Sequence, residues 1–341
     1  MNRVFPAEWA PQSAISFTFP HKDSDWADDL DKVIPTFVEI ISIVTIYEKA
    51  LVVCQNVEEV GALLKNANQK NLILIELPSN DTWARDHSAI TVLDDGQPLL
   101  LDFMFNGWGL KFPADKDNLI TKRLKEQGIF GSIPVQSLGL NLEGGALESD
   151  GAGTLLTTTE CLLSPNRNPQ FTKNVLETYL KLILGIDRIL WLDYGYLEGD
   201  DTDSHIDTLA RFCSPDTIAY VQCDDVEDVH YDSLKRMEDQ LLSFTQEDGN
   251  PYILVPLPMA PARYHHEDGH RLPATYANFL IINDAVLLPI YGDEEKDKKA
   301  IAAMKVCFPD REIHAIDCNS IILQHGSLHC ITMQFPEGII K

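Results

Sequence analysis

Five short segments of this 341-residue chain hold side chains that a scaffold seldom needs in such company. Asp81-Thr-Trp-Ala-Arg-Asp86 is a polar cluster just ahead of an apolar run at 89–93. Glu143-Gly-Gly145 is followed by Asp150-Gly-Ala-Gly-Thr154, where glycines permit close backbone approach. Gly199-Asp-Asp-Thr-Asp-Ser-His-Ile-Asp207 packs four aspartates and a histidine together. Tyr276-Ala-Asn278 enters a strongly apolar strand, and His325-Gly-Ser-Leu-His-Cys330 turns through a glycine to deliver a cysteine.

Taken singly, each has an ordinary structural explanation. Cys330 alone reads as a small buried hydrophobe. Asp200, Asp201 and Asp203 read as turn-formers, Asn278 as a partner for loop backbone, and Trp83 and Trp108 as aromatic packing. Together they point elsewhere. A cysteine, a histidine and several carboxylates suffice for covalent catalysis on a cationic, carbonyl-like carbon: the thiolate attacks, the imidazole moves protons, and the acids hold positive charge. His205 and Asp207, two apart on an extended segment, would address one face. So many carboxylates raise a thiol pKa and ill suit a papain-like protease. They suit a substrate that brings its own positive charge.

The elements that must position these groups read as mixed α/β. Runs at 15–19, 43–46, 51–54, 72–76, 89–93, 189–192, 218–223, 252–255, 279–282 and 286–289 have strand character and are bounded by turn residues. Helices are expected at 117–127, at 172–184 with Gly185 as a left-handed cap, at 230–244 with Leu234, Met237, Leu241 and Leu242 on one stripe, and at 294–306 with Ile301 and Met304 facing inward. No linker or low-complexity segment breaks the chain, so residues 1–341 are expected to form one domain.

Bulk properties narrow the partners. With 52 acidic against 27 basic residues the net charge is −25, which repels nucleic acid and anionic lipid and draws small cations. Seven cysteines without regular spacing suit reduced thiols and a cytoplasmic setting. The N-terminal stretch has no apolar core of a signal peptide, and no apolar run approaches a membrane span.

These segments resemble the agmatine deiminase and Porphyromonas-type peptidylarginine deiminase family, within the guanidine-modifying pentein superfamily. The likeness runs from Pro6-Ala-Glu-Trp-Ala-Pro11 to Cys330-Ile-Thr332 and includes Leu162-Leu-Ser-Pro-Asn-Arg-Asn-Pro169. It implies a single pentein domain, a five-fold pseudosymmetric α/β propeller of ββαβ-type modules. The spacing agrees: Asp86, Glu143, His205, Asn278 and Cys330 are 57, 62, 73 and 52 positions apart, near the roughly 68 residues a five-fold division would give. The resemblance also assigns roles. Asp86 and Asp207 would grip the guanidinium, Glu143 would orient His205 and assist binding, Cys330 would attack, and His205 would shuttle protons. Asn278 would sit at the site, and Trp83 and Trp108 could flank an aliphatic tail. The implied reaction is hydrolysis of agmatine to N-carbamoylputrescine and ammonia, a step toward putrescine, with no cofactor or metal. A homo-oligomer stays open.

Two departures lie beside the substrate: His87-Ser88-Ala89 where many relatives have a Gly-Pro ending, and Gly326-Ser327 where many have two glycines. Arginine or peptidylarginine therefore remains an alternative substrate. A reading of another class makes the chain a metal-binding protein or metallohydrolase using Asp200, Asp201, Asp203, His205 and Asp207. His265-His-Glu-Asp-Gly-His270 also has metal-like composition, although it lacks H-E-x-x-H or EF-hand spacing and reads better as a solvated loop.

Overall fold

A path of two strands, a helix and a third strand recurs five times in the computed structural model, which describes residues 3–341. One unit runs Ile90–Asp94, Gln97–Met104, helix Ile120–Glu126 and strand Val135–Asn141. The next runs Glu148–Ser149, Thr154–Thr158, Lys173–Leu184 and Arg188–Leu192. A third runs Ala210–Ser214, Thr217–Gln222, Tyr231–Ser243 and Ile253–Pro258, and a fourth Leu280–Ile282, Ala285–Ile290, Glu294–Cys307 and Glu312–Asp317. The fifth joins both ends of the chain: Thr332–Pro336 pairs with Gln12–Thr18, followed by helix Leu30–Tyr47 and strand Lys49–Cys54.

In every unit the first two strands are antiparallel and the second and third are parallel. In the four units that are continuous in sequence that order follows from connection length, because a tight turn joins only antiparallel neighbours whereas a parallel pair needs a crossover helix. The sheets are separate and none closes on itself. Leu72–Glu76 extends the fifth sheet and Arg3–Val4 edges the first.

The crossover helices are amphipathic and bury one stripe. Lys173–Leu184 turns Leu176, Leu180 and Leu184 inward and ends at Gly185, left-handed at φ 70°. Each such leucine contributes about 1.5–3 kcal/mol by leaving water. Tyr231–Ser243 buries Leu234, Met237 and Leu241, but Leu242 is 62% exposed and leaves the expected stripe. In Glu294–Cys307 Met304 is buried and Ile301 partly so.

The run at 43–46, expected as a strand, lies inside helix Leu30–Tyr47. Its β-branched residues favour a strand locally. The spacing of Val33, Phe37, Ile40, Ile41 and Val44 puts them all on the buried face of one helix, and that burial overrides propensity. No helix of the described residues is long and apolar enough to cross a membrane.

Candidate active site

The residues expected to do chemistry stand just ahead of the first strand of each unit. Asp86 precedes Ile90–Asp94, Glu143 precedes Glu148–Ser149, His205 and Asp207 precede Ala210–Ser214, Asn278 precedes Leu280–Ile282, and Cys330 precedes Thr332–Pro336. Five equivalent strand starts thus deliver one set of side chains. Asp86, Glu143, His205, Asp207, Asn278 and Cys330 are all buried.

Asp86 sits on the short helix Ala84–His87, whose Arg85 N–H donates to the Cys330 carbonyl at 3.1 Å. Its carboxylate accepts from Gly145 N at 2.9 Å and from Trp108 Nε1 at 2.9 Å. Trp108 reaches it from a turn in which Gly107, Trp108, Gly109 and Leu110 all have positive φ. Left-handed backbone costs L-residues roughly 1–2 kcal/mol each, a cost met where it aims an indole N–H at a buried carboxylate. Asp207 occupies a 3-10 turn, Ile206–Thr208, rather than the expected extended segment. The turn still brings it beside His205, since both border Gly145.

Cys330 Sγ lies 3.7 Å from Asp207 Oδ2 and accepts from Asn278 Nδ2 at 3.3 Å. Asn278 Oδ1 in turn accepts from the backbone N–H groups of His329 and Cys330 at 2.9 and 3.3 Å, so it fixes the turn that carries the thiol. His205 stands between acids, Nδ1 3.7 Å from Asp86 and Nε2 3.9 Å from Glu143. Asp207 Oδ1 has no hydrogen-bond partner among the described residues. A buried carboxylate oxygen left so is expensive, and a cationic ligand would satisfy it.

Electrostatics follow from this crowding. Burial, then Asp207 and Asp86, pushes the Cys330 thiol well above its ordinary value. Burial works against a charged His205, but Asp86, the Cys161 thiol and Glu143 outweigh it and hold the imidazole well above its usual range. Asp86 is raised by burial and by its neighbours Asp207 and Glu143, despite His205 and Trp108. Asp207 is lowered: burial opposes ionisation, but His329 and His205 prevail.

Several functional neighbours were invisible in the sequence. Arg167 Nε donates to both Glu143 oxygens at 2.9 Å, and its terminal nitrogens bind Asp203 and the Thr202 carbonyl. His329 links Asp207 at 2.8 Å to Glu8 at 2.7 Å, and Glu8 continues to Arg211, which is paired with Glu148. Cys161 lies against His205 and Glu143. Arg167 and Glu8 stand inside the motifs that carried the family resemblance, which was the one signal pointing to them; Cys161 had none.

The aspartate run does not gather as a metal set. Asp200 accepts from Thr202 and Ser204 N–H groups within its own turn, Asp203 pairs with Lys111 and Arg167, and Asp207 faces His329. The departures beside the substrate are accommodated. His87 is buried against Thr18 Oγ1 at 3.2 Å, and Ser327 Oγ bonds the Tyr291 hydroxyl at 2.9 Å.

A cleft of about 570 Å³ leads to Cys330 and Asp86. Trp83, Trp108 and Phe112 form an aromatic wall, and Asp25, Asp81, Asp201, His325 and Gln324 line the rest. Trp83 is fixed by its indole N–H donating to Asp81 at 2.9 Å. Both tryptophans are therefore packing residues and cleft walls at once.

Gly145 leaves no room for a side chain. A Cβ there would lie 2.6 Å from His205 Nδ1 and 2.9 Å from Asp86 Oδ1. Gly145→Ala is expected to cut kcat/KM by about 10²-fold or more through misplacement of both groups, with the fold retained. Steady-state kinetics beside a thermal melt checks this; parent-like kinetics would show that the close approach is unimportant.

A buried thiol, an imidazole and three carboxylates on this mixed α/β frame define a guanidine-modifying enzyme of the pentein class. The chain belongs to the Porphyromonas-type peptidyl-arginine deiminase family, whose model matches residues 4–336. It is similar to a Porphyromonas gingivalis protein provisionally named an arginine deiminase, at 52% identity and TM-score 0.95 over 99% of this chain and 100% of that one. It is also similar to the C. jejuni agmatine deiminase with substrate bound, at 34% identity and TM-score 0.92 over 99% and 97%. Fold alone is shared with DDAH of Pseudomonas aeruginosa, at 11% identity and TM-score 0.51 over 95% and 100%. The chain is a hydrolase of C–N bonds that deiminates a guanidine.

Proposed function

We propose that the substrate is agmatine, hydrolysed to N-carbamoylputrescine and ammonia, with Cys330 as covalent nucleophile. The observation that carries the choice is the cleft's charge. Asp25, Asp81 and Asp201 line it beyond the reacting groups, and none of its described lining residues is lysine or arginine. Agmatine places a second cation there, with its methylene chain along Trp83 and Trp108. Free arginine would bring an α-carboxylate among three acids with no lysine or arginine among the described lining residues to receive it. Peptidylarginine has no such carboxylate and is the second reading, favoured by the name of the family. Assaying ureido product from agmatine, arginine and an arginine-containing peptide side by side decides. Preference for either of the last two would overturn the proposal.

In the proposed reaction Asp86 and Asp207 hold the guanidinium and Glu143, anchored by Arg167, steadies His205. As the guanidinium binds, the Cys330 thiol gives up its proton to solvent. The thiolate forms a C–S bond to the guanidinium carbon, and the imidazolium of His205 protonates the departing nitrogen as the C–N bond breaks, releasing ammonia. Neutral His205 then takes a proton from water, which attacks the amidino-thioether; the C–S bond breaks and the ureido product leaves. Residues 1–341 act as one catalytic unit, with the five sheets arranged pseudosymmetrically as a propeller around these groups. The recurring strand order and the equivalent placement of site residues support that arrangement. The acidic composition and reduced cysteines suit a cytoplasmic enzyme of putrescine formation.

Substrate assists its own attacker on this reading. With its pKa well above the ordinary value, Cys330 stays a thiol at neutral pH in the free enzyme and ionises only as pH climbs past that raised pKa. A bound guanidinium offsets Asp207 and Asp86 and moves the transition to lower pH. Ultraviolet titration of the thiolate should show this shift on adding an inert guanidinium ligand. A thiolate already formed in the free enzyme at neutral pH would refute it.

A further inference from the structure

The histidine-rich run that reads as a solvated loop is an ordered tip at the rim of the cleft. It connects the paired strands Arg263–Tyr264 and Arg271–Leu272 and is closed by His265 N donating to the His270 carbonyl at 2.8 Å. Its side chains converge. His270 Nδ1 lies 2.5 Å and His265 Nδ1 3.6 Å from the same Asp268 oxygen. One ligand atom from each of the three residues falls within 4.8 Å of the others.

The imidazoles are stacked in a column that ends in the cleft. His265 and His270 are 5.0 Å apart at 12°, and His270 and His325 are 4.9 Å apart at 4°. His325 lines the cleft, is held by the Gly199 carbonyl at 2.6 Å, and lies 3.6 Å from Asp201. His270 Nε2 is buried and has no partner among the described residues. The opposite side is open to solvent, because the side chain of Asp268 is 66% exposed.

We propose that His265, Asp268 and His270 form a binding site for a late first-row divalent cation, and that occupancy opposes binding of a cationic substrate. Two imidazoles and one carboxylate select zinc, cobalt, nickel or copper over calcium or magnesium, which prefer oxygen cages. Three protein ligands leave positions for water on the exposed side, as in open zinc sites. Asp268 has to exchange its short contact with His270 for the cation, and the stacked rings of His265 and His270, 12° from parallel, have to turn about their side-chain bonds until both planes meet it. The added double charge stands one imidazole away from the cleft and Asp201, so it raises KM and leaves the chemical step alone. This kinetic effect rests on the substrate reading above; the binding does not.

Cobalt(II) is the probe, titrated into chelator-stripped full-length enzyme by calorimetry and visible spectroscopy. Expected are one equivalent bound, ligand-field bands without sulfur-to-metal charge transfer, and displacement by zinc. His265→Ala and His270→Ala, which lie outside the catalytic set, should each weaken binding by at least about tenfold while keeping the parent melting temperature. Zinc should raise KM for agmatine severalfold in the parent and not in these variants. Absence of binding, undiminished binding in both variants, or a charge-transfer band marking Glu143, Cys161 and His205 as the ligands would each overturn the site. Binding without any change in KM would overturn its effect on substrate. Failure to turn over agmatine, with cobalt bound as expected, would refute the substrate reading alone.

Discussion

Replacing Cys330 with alanine is expected to abolish turnover, by about 10⁴-fold or more, while the protein still retains a guanidinium compound. The size follows from removing the proposed carrier of the covalent intermediate, where losses exceed those of proton-transfer groups alone. Retained binding follows from what the substitution leaves in place. Asp86 keeps its donors Gly145 and Trp108, and Asp207 keeps His329. Removing the thiol also removes a group held against Asp207, so affinity for an inert guanidinium should equal or exceed the parent's. Single-turnover kinetics and equilibrium dialysis measure the two quantities separately. Substantial activity in the alanine variant would end the role of Cys330 as nucleophile and point to Cys161, the thiol that faces His205 and Glu143.

The second large effect is expected from Asp207→Asn and Asp86→Asn. Both carboxylates are buried, and breaking one side of a buried charge pair costs about 3–5 kcal/mol, or about 10²–10⁴-fold in binding. Dialysis in the Cys330→Ala background reads this loss directly, without turnover. The two variants should differ in pH behaviour. Asp207 sits low because His329 and His205 outweigh its burial, so it is charged through the neutral range and lost only in acid. Asp86 sits high because burial dominates, so guanidinium binding should weaken at less acidic pH through this group. If both asparagine variants bind like their parent, the cation is not held where proposed.

The groups proposed to react were legible as candidates because each is chemically conspicuous in a short motif: Cys330 after a glycine turn, His205 with Asp207, Glu143 before paired glycines. Their supports were not. Arg167 and Glu8 act across 24 and 203 positions on Glu143 and Arg211, a separation that local pattern does not encode. His329, beside Cys330 in sequence, joins two carboxylates only because turn and strand meet in space. Nine of the nineteen described strands were readable from short β-rich runs, whereas Gln97–Met104, Val135–Asn141, Glu312–Asp317 and Thr332–Pro336 were among those missed. The helix Leu30–Tyr47 was missed because a β-branched stretch and Pro35 disguise its period, and only tertiary burial settles it. The spacing of candidate residues anticipated five units, and the structure shows why: each residue precedes a unit's first strand.

The pairing of Thr332–Pro336 with Gln12–Thr18 has a temporal consequence. Ser13 Oγ donates to the Pro336 carbonyl across 323 positions, so the fifth unit forms only when distant parts of the chain meet. Such contacts carry the largest closure entropy and are slow to form. A chain in which the other four units have already folded owns Asp86, Glu143, His205 and Asp207 but has not yet seated Cys330. On the proposed roles it would capture a guanidinium ion and do nothing to it. The appearance of activity during refolding therefore times the final closure of the molecule, whereas the appearance of ligand binding times the earlier events.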